Sequence, residues 1–192
     1  LCKAARYRYR HSDMGHLASC LQQAQGSRLR LICTDGVFSM DGDIAKLDAI
    51  CDLAEQYNAL VLVDDSHATG YIGASGRGSG EYWGVSDRID LVTTTFGKAL
   101  GGASGGCVSG RKELIAMLRQ RSRPYLFSNT LAPAIVGGTL KVLDLIGQEN
   151  PFRKQLVDNT AYLKGLLASR GFDVPKGDTA IIPVMFYDEQ AA

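Results

Sequence analysis

The sequence is poor in the residues that build metal sites and disulfide frameworks. It has three histidines in 192 residues, which argues against a histidine-rich metal site, and no metal is predicted. Its five cysteines are odd in number and show no CxxC spacing; they occupy positions 2, 20, 33, 51 and 107. This pattern is typical of small core residues in a reducing compartment rather than of a disulfide framework or a zinc site.

Long apolar runs and a strong charge of either sign are also absent. No run of 18 apolar residues occurs, so no membrane span is predicted. The formal net charge of +1 argues against nucleic acid or an anionic membrane as the main partner. The 45% of hydrophobic residues suffices for a buried core. The chain begins without Met or a signal pattern and stops just after a strand-like run, so we expect a piece of a longer protein, truncated at both ends.

Apolar periodicity predicts helices and strands that alternate along the chain. Helices are predicted over 13–25, 43–57, 111–120, 132–147 and 151–169. Strands are predicted over 29–34, 60–65, 89–95 and 179–187, the last an edge or bulged strand because of Pro183. The continuous apolar runs at 60–65 and 89–95 indicate strands buried on both faces. We therefore predict an α/β fold, a mainly parallel sheet with helices on both faces: a large domain over 1–138 and the start of a smaller C-terminal α/β domain over 139–192.

Polar side chains lie at or directly after the carboxyl ends of three of the predicted strands, where ligands bind in open α/β sheets. They are Ser39, Asp64 or Asp65, His67, Thr95 and Lys98. Each has an ordinary alternative: an aspartate pair that caps a turn, a turn serine, a loop histidine or a surface lysine. The combination favours a site, because an acid follows one buried strand and a lysine surrounded by small residues follows another.

These residue types suit catalysis with pyridoxal 5'-phosphate (PLP). Its aldehyde needs a lysine to form a Schiff base, and its ring nitrogen needs a carboxylate to stay protonated. The lysine must lose its proton to act as nucleophile and base, which a partly buried, crowded site favours. Thr95 and the glycines of 97–106 would serve the phosphate and let the backbone approach the ring. A Walker loop and a GxGxxG fingerprint are both absent.

Four segments together resemble the α-oxoamine synthases: TDGVFSMDGDIA, LVDDSHATGYIGASGRGSGE, TFGKALGGASGG and RQRSRPYLFSNTLAP. These fold-type-I PLP enzymes condense an amino acid with an acyl-CoA and usually decarboxylate the product. DDSHATG with RSRPYLFSN is most similar to the member that joins glycine and acetyl-CoA without decarboxylation, or in reverse cleaves the threonine-derived keto acid. The alternative is another α-oxoamine synthase that uses a different acyl-CoA, in the synthesis of 5-aminolevulinate, 8-amino-7-oxononanoate or a sphingoid base. A non-catalytic partner subunit is a third reading, which the intact Lys98 disfavours.

The resemblance implies a role for each residue near the cofactor ring. Lys98 would be the Schiff-base lysine and the base that moves the α-proton. Asp64, rather than Asp65, would pair with the pyridine nitrogen. His67 and Ser39 would hydrogen-bond the phenolic oxygen, and His67 would also polarise the incoming thioester.

The resemblance also implies how the phosphate is held and how the protein assembles. Thr95 would bind the phosphate, while Phe127 and Ser128 would reach the phosphate of the partner subunit, because family members are homodimers. A ring-stacking histidine and a carboxylate-binding arginine of the family fall outside this sequence. The expected location is the cytoplasm, or the mitochondrion in a eukaryote.

Overall fold

Strands and helices alternate along the chain much as predicted. The structure is a computed structural model that describes residues 3–102, 104–148, 151–186, 188 and 190. The strands are β1 (Leu31–Asp35), β2 (Leu60–Asp64), β3 (Leu91–Thr95) and β4 (Gly106–Gly110). The helices are α1 (Met14–Gln23), α2 (Leu47–Gln56), α3 (Ser79–Trp83), α4 (Lys112–Arg121), α5 (Arg123–Phe127), α6 (Pro133–Ile146) and α7 (Pro151–Ser169), with a 3-10 helix at Ser86–Arg88. Among these helices, none has the length and apolarity needed to cross a bilayer.

The strands form a mixed sheet in the order β1-β2-β3-β4. β1, β2 and β3 run parallel to one another, and β4 pairs antiparallel with β3. The prediction of a mainly parallel α/β sheet is thus confirmed, although the sequence interpretation missed β4. In the register, Asp35 lies opposite Asp64, and Asp64 lies opposite Thr93. The carboxyl ends of β1 and β2 are therefore level, and β3 continues past them to Thr95.

The first two helices cover one face of this sheet. Side chains from β1 and β2 join side chains of α1 and α2 in one buried cluster, which includes Ile32, Val61, Val63, Leu17, Leu21, Leu47 and Ile50. The side chains that alternate with them are more accessible: Leu31 is 50% exposed, and Leu62 is half-buried. The prediction that strand 60–65 is buried on both faces was wrong for β2, because its buried residues alternate.

The strand predicted over 179–187 is not formed by residues 179–186, and Tyr187 lies outside the described residues. Hydrogen bonds outside the sheet hold this segment in place. Thr179 is buried and its hydroxyl donates to the Gly42 carbonyl at 2.5 Å, while the Met185 N–H donates to the Asp173 carbonyl at 3.2 Å. Pro183 has no N–H to offer a ladder, which disfavours pairing here.

The cysteines follow the prediction in part. Cys20 and Cys51 are buried core residues, but Cys33 and Cys107 are exposed. Cys33 lies on β1, where alternation turns every second side chain away from the core, and Cys107 lies on β4, where every residue is exposed. All four are free thiols.

A buried carboxylate ties the end of β2 to the start of α3. Asp65 is 2% exposed and accepts two hydrogen bonds from Ser79, from its N–H at 3.0 Å and from its hydroxyl. Burial raises the pKa of Asp65, although the Ser79 bonds act in the opposite direction. Gly36, directly after β1, packs so closely that a Cβ there would overlap Asp65 Oδ1 and Ser79 Oγ. The segment after β1, the end of β2 and the start of α3 thus meet at the buried Asp65–Ser79 hydrogen bonds.

We predict that Gly36→Ala lowers the free energy of unfolding by about 1–3 kcal/mol, because the added methyl group must displace the buried Asp65–Ser79 pair. Urea unfolding measures the change. The matched control is Gly26→Ala, where an added Cβ meets nothing within 4 Å. Equal stability of the two variants would contradict this packing.

We also predict that Ser79→Ala lowers the free energy of unfolding by about 1–3 kcal/mol, since the buried Asp65 carboxylate loses a hydrogen-bond donor. Ser39→Ala should leave the unfolding midpoint unchanged, because Ser39 is exposed. Thermal melts of both variants test this, and an unchanged Ser79→Ala melt would show that the hydroxyl contributes nothing.

Candidate active site

The predicted site residues come from the loops that follow β2 and β3. Ala68 and Thr69 donate their N–H groups to the Asp65 carbonyl at 2.9 and 2.8 Å, which folds residues 66–69 into a tight turn that carries His67. After β3, the Gly101 N–H donates to the Lys98 carbonyl at 2.9 Å and closes a second turn. Because β2 and β3 are neighbours, these two turns lie side by side.

The two turns bring the lysine and the histidine into direct contact. Lys98 Nζ lies 2.9 Å from His67 Nε2, a hydrogen-bond distance. Burial, and then the positive charge of Lys98, lowers the pKa of His67, while Asp35 and Asp64 act in the opposite direction. The crowded, partly buried setting expected for Lys98 is not found: its side chain is exposed, because its turn lies beyond the packed end of β3.

Asp64 lies on the same face of the sheet as Thr93 and Thr95. Its Oδ1 accepts the Ser66 N–H at 2.9 Å. Burial alone would raise the pKa of Asp64, but hydrogen bonds from Ser66 and Thr93, together with nearby Lys98, outweigh it and hold the pKa below its usual value. Asp64 is thus an ionised carboxylate at the carboxyl end of β2, a central strand of the sheet. Asp65, the alternative that composition left open, lies on the buried side, where its carboxylate accepts a hydrogen bond from Ser79.

The glycines after Lys98 pack against the protein's own chain. A Cβ on Gly106 would overlap the Thr94 carbonyl oxygen, so glycine lets β4 approach β3. The Gly105 carbonyl accepts hydrogen bonds from the Phe96 N–H at 2.9 Å and from the Thr95 hydroxyl at 3.1 Å. The sequence interpretation related these glycines to a cofactor; in the structure these two also fix the strand end before Lys98.

The structure does not bring every predicted residue to this contact. Ser39 is exposed in the turn over residues 39–41. Phe127 is 77% exposed at the end of α5, with the Arg123 guanidinium 5.8 Å from its ring centroid. Ser128 follows it and is also exposed. Within the described ranges, no hydrogen bond or ring contact joins these three residues to Lys98 or His67.

Asp35 is a charged residue at the same end of the sheet as Asp64, and the sequence analysis did not single it out. It ends β1 directly opposite Asp64. Burial, and then the negative charge of Asp64, raises the pKa of Asp35, while His67 and Lys98 lower it. The signal in the sequence was the same as for Asp64, an acid at the end of a predicted strand.

An open cleft of about 510 Å³ lies against the exposed face of β1 and β2. Its lining includes Asp35, Asp64, Cys33, Phe38 and His11. Both carboxylates line the cleft, whereas neither Lys98 nor His67 does.

A further group of polar residues lies at the rim of the cleft. His11, Asp41 and Asp43 have potential metal-ligand atoms within 4.8 Å of one another. Two of them pair directly, because His11 Nε2 lies 2.9 Å from Asp43 Oδ2. Exposed groups of this kind are common without an ion, and the arrangement carries no metal assignment.

Comparison with known proteins identifies the family. The family model for aminotransferase class I and II matches residues 1–192. A 2-amino-3-ketobutyrate coenzyme A ligase from Escherichia coli (strain K12) is 54% identical over 194 residues, which cover 100% of this chain and 49% of that protein. The mitochondrial 2-amino-3-ketobutyrate coenzyme A ligase from Homo sapiens is 50% identical over 192 residues, which cover 100% of this chain and 46% of that protein.

A solved structure agrees with this assignment. Serine palmitoyltransferase from S. paucimobilis, with bound PLP–myriocin aldimine, superposes with a TM-score of 0.90 and 32% identity, covering 95% of this chain and 48% of that one. The chain spans about half the length of the curated relatives it matches. The resemblance to α-oxoamine synthases seen in the sequence motifs is confirmed, and the chain belongs to the aminotransferase class I and II family.

Proposed function

We propose that this chain carries part of the active site of a PLP-dependent acyltransferase. The reaction would condense glycine with acetyl-CoA to 2-amino-3-ketobutyrate and CoA, or run in reverse to cleave that keto acid during threonine breakdown. The 54% identity to a protein of that name supports the substrates. The observation that carries the proposal is the contact of 2.9 Å between Lys98 Nζ and His67 Nε2, next to the ionised Asp64.

The residues at the carboxyl ends of the parallel strands fit the cofactor. When bound, PLP supplies an electron sink that stabilises negative charge on the α-carbon of glycine. A protonated ring nitrogen needs an ionised carboxylate beside it, and the lowered pKa of Asp64 provides one. Asp65 does not suit this role, because burial raises its pKa and Ser79 occupies its oxygens.

Lys98 and His67 would perform the proton transfers. Lys98 would hold the cofactor through its exposed amine, and as the base it would accept the proton from the α-carbon of glycine. His67 would hydrogen-bond the cofactor's phenolic oxygen, together with Ser39, and donate to the thioester carbonyl. Thr95 would bind the phosphate; its hydroxyl now donates to the Gly105 carbonyl, so it would need to rotate.

The remaining assignments concern assembly, domains and location. We propose a homodimer in which Phe127 and Ser128 serve the partner's phosphate, which agrees with their exposure on this chain. Residues 1–138 would belong to the cofactor-binding domain and 139–192 would begin a second domain; α6 runs unbroken through this boundary. Bacterial and mitochondrial relatives favour the cytoplasm or the mitochondrion.

We predict that Lys98→Ala abolishes the visible absorbance of covalently attached cofactor and lowers turnover by more than about 100-fold, because the attaching and proton-transferring amine is lost. The full-length protein is assayed for CoA release with glycine and acetyl-CoA. Lys112→Ala, a lysine at the start of α4, is the matched control and should retain both signals. A Lys98→Ala protein that keeps the absorbance band would refute the assignment of Lys98.

We further predict that kcat/KM is highest with acetyl-CoA when acetyl-, succinyl- and long-chain acyl-CoA are compared with glycine as the acceptor. The alternative function is synthesis of 5-aminolevulinate, 8-amino-7-oxononanoate or a sphingoid base with another acyl-CoA. It is supported by the fold shared with serine palmitoyltransferase, at a lower identity of 32%. A preference for a longer acyl chain would favour that alternative.

A further inference from the structure

A second cleft differs from the one that Asp35 and Asp64 line. Its volume is about 480 Å³, within the range of small-molecule pockets, and it shares no lining residue with the first cleft. Its walls come from α6, from α7 and from the loops that follow β2 and β3. The proposed reaction leaves this second cleft without a role.

Most of the lining of the second cleft is apolar. α6 contributes Val142, Leu145 and Ile146, and α7 contributes Phe152 and Leu156. The side chains of Leu145 and Phe152 are 47% and 71% exposed, so a ligand can reach the cleft from outside. These walls favour a ligand with an apolar body, because the burial of apolar area stabilises the complex.

The charged side chain of this cleft is Arg153 of α7. The residue is half-buried, and its Nε and Nη1 atoms are buried without a hydrogen-bond partner in the part of the chain that the structure describes. Buried donors that lack an acceptor are costly, and more so when the group is charged. Among the described residues, no aspartate or glutamate lines the cleft. The lining therefore leaves the positive charge of Arg153 uncompensated.

The guanidinium of Arg153 packs against the loop after β2. An added Cβ on Gly76 would lie 3.1 Å from Arg153 Nη1 and 2.9 Å from the Gly70 carbonyl oxygen. The loop is closed by a hydrogen bond of 2.9 Å, which the Gly70 N–H donates to the Gly76 carbonyl. Gly76 has a φ of 79°, in the left-handed region that favours glycine. The donors of Arg153 are thus positioned against a hydrogen-bonded backbone before any ligand binds.

A monocarboxylate matches this lining better than a phosphate. A guanidinium binds a carboxylate through charge-assisted hydrogen bonds, and one cation balances its single negative charge. A phosphate monoester carries about −1.5 to −2 charges at neutral pH. It would need a second cation, which the described lining lacks.

We propose that the second cleft is a binding site for a monocarboxylate with a hydrocarbon chain, in which Arg153 pairs with the carboxylate and the apolar side chains of α6 and α7 contact the chain. This site goes beyond the proposed reaction and does not depend on it. Gly70, three residues after His67, lines the cleft. Ala99, directly after Lys98, lines it too. A ligand in the cleft would therefore touch the loops that carry the lysine–histidine contact.

The test is calorimetric titration of the full-length protein with octanoate, and with octanol and octyl phosphate, which keep the chain and change the head group. We expect octanoate to bind at least about 10-fold more tightly than either, because only its charge matches that of Arg153. Arg153→Gln should weaken octanoate binding by a similar factor and leave octanol binding unchanged. Arg170→Gln, at an exposed arginine just after α7, is the matched control and should leave octanoate binding unchanged.

A second variant covers the case in which Arg153→Gln does not fold. Leu145→Trp retains the guanidinium but fills the cleft from α6, where Leu145 is accessible, and should remove octanoate binding. Octanoate that binds no better than octanol, or whose binding survives either variant, would overturn the site. Tighter binding of octyl phosphate would overturn the choice of a carboxylate ligand. These titrations involve no turnover, so a failure of the acyl-transfer assignment would appear separately, in the CoA-release assay.

Discussion

The site depends on the parallel register of β1, β2 and β3. This register places Asp35 opposite Asp64 and Asp64 opposite Thr93 on one face of the sheet. A slip of one residue would turn each of these side chains toward the helices and bring apolar side chains to the cleft. The buried cluster formed with α1 and α2 resists such a slip, because Val61 and Val63 would lose their contacts. The hydrophobic core and the polar carboxyl end of the sheet thus both follow from the register of β1, β2 and β3.

Alternation along β2 explains why two adjacent aspartates serve different purposes. Asp64, the last strand residue, lies on the accessible face and is kept ionised by hydrogen bonds from Ser66 and Thr93. Asp65, one residue later, is buried and holds Ser79 at the start of α3. Successive side chains point to opposite sides of a strand, so neighbours in sequence experience different environments. The same geometry makes Gly36 necessary, since a side chain there would meet the buried Asp65.

Prediction from sequence succeeded where a local pattern reflects the fold and failed where distant contacts decide. The periodicities of 132–147 and 151–169 correspond to α6 and α7, and three of the predicted strands are β1, β2 and β3. β4 was missed because Gly106–Gly110 has no apolar alternation and forms by pairing with β3. The run at 179–186 looks like a strand but does not pair in the described chain. Strand formation needs a neighbour, which the local sequence does not contain.

The sequence by itself determined the α/β class and the placement of Asp64, His67 and Lys98 at or shortly after the ends of strands, because hydrophobic periodicity and residue type are local properties. Its motifs also pointed to the α-oxoamine synthases, a resemblance that the relatives confirm. Only the tertiary structure decided that Lys98 contacts His67, that Asp65 is buried and that Asp35 lies opposite Asp64. Those facts depend on which strands are neighbours and in what register, and hydrogen bonds between residues about 30 positions apart establish both.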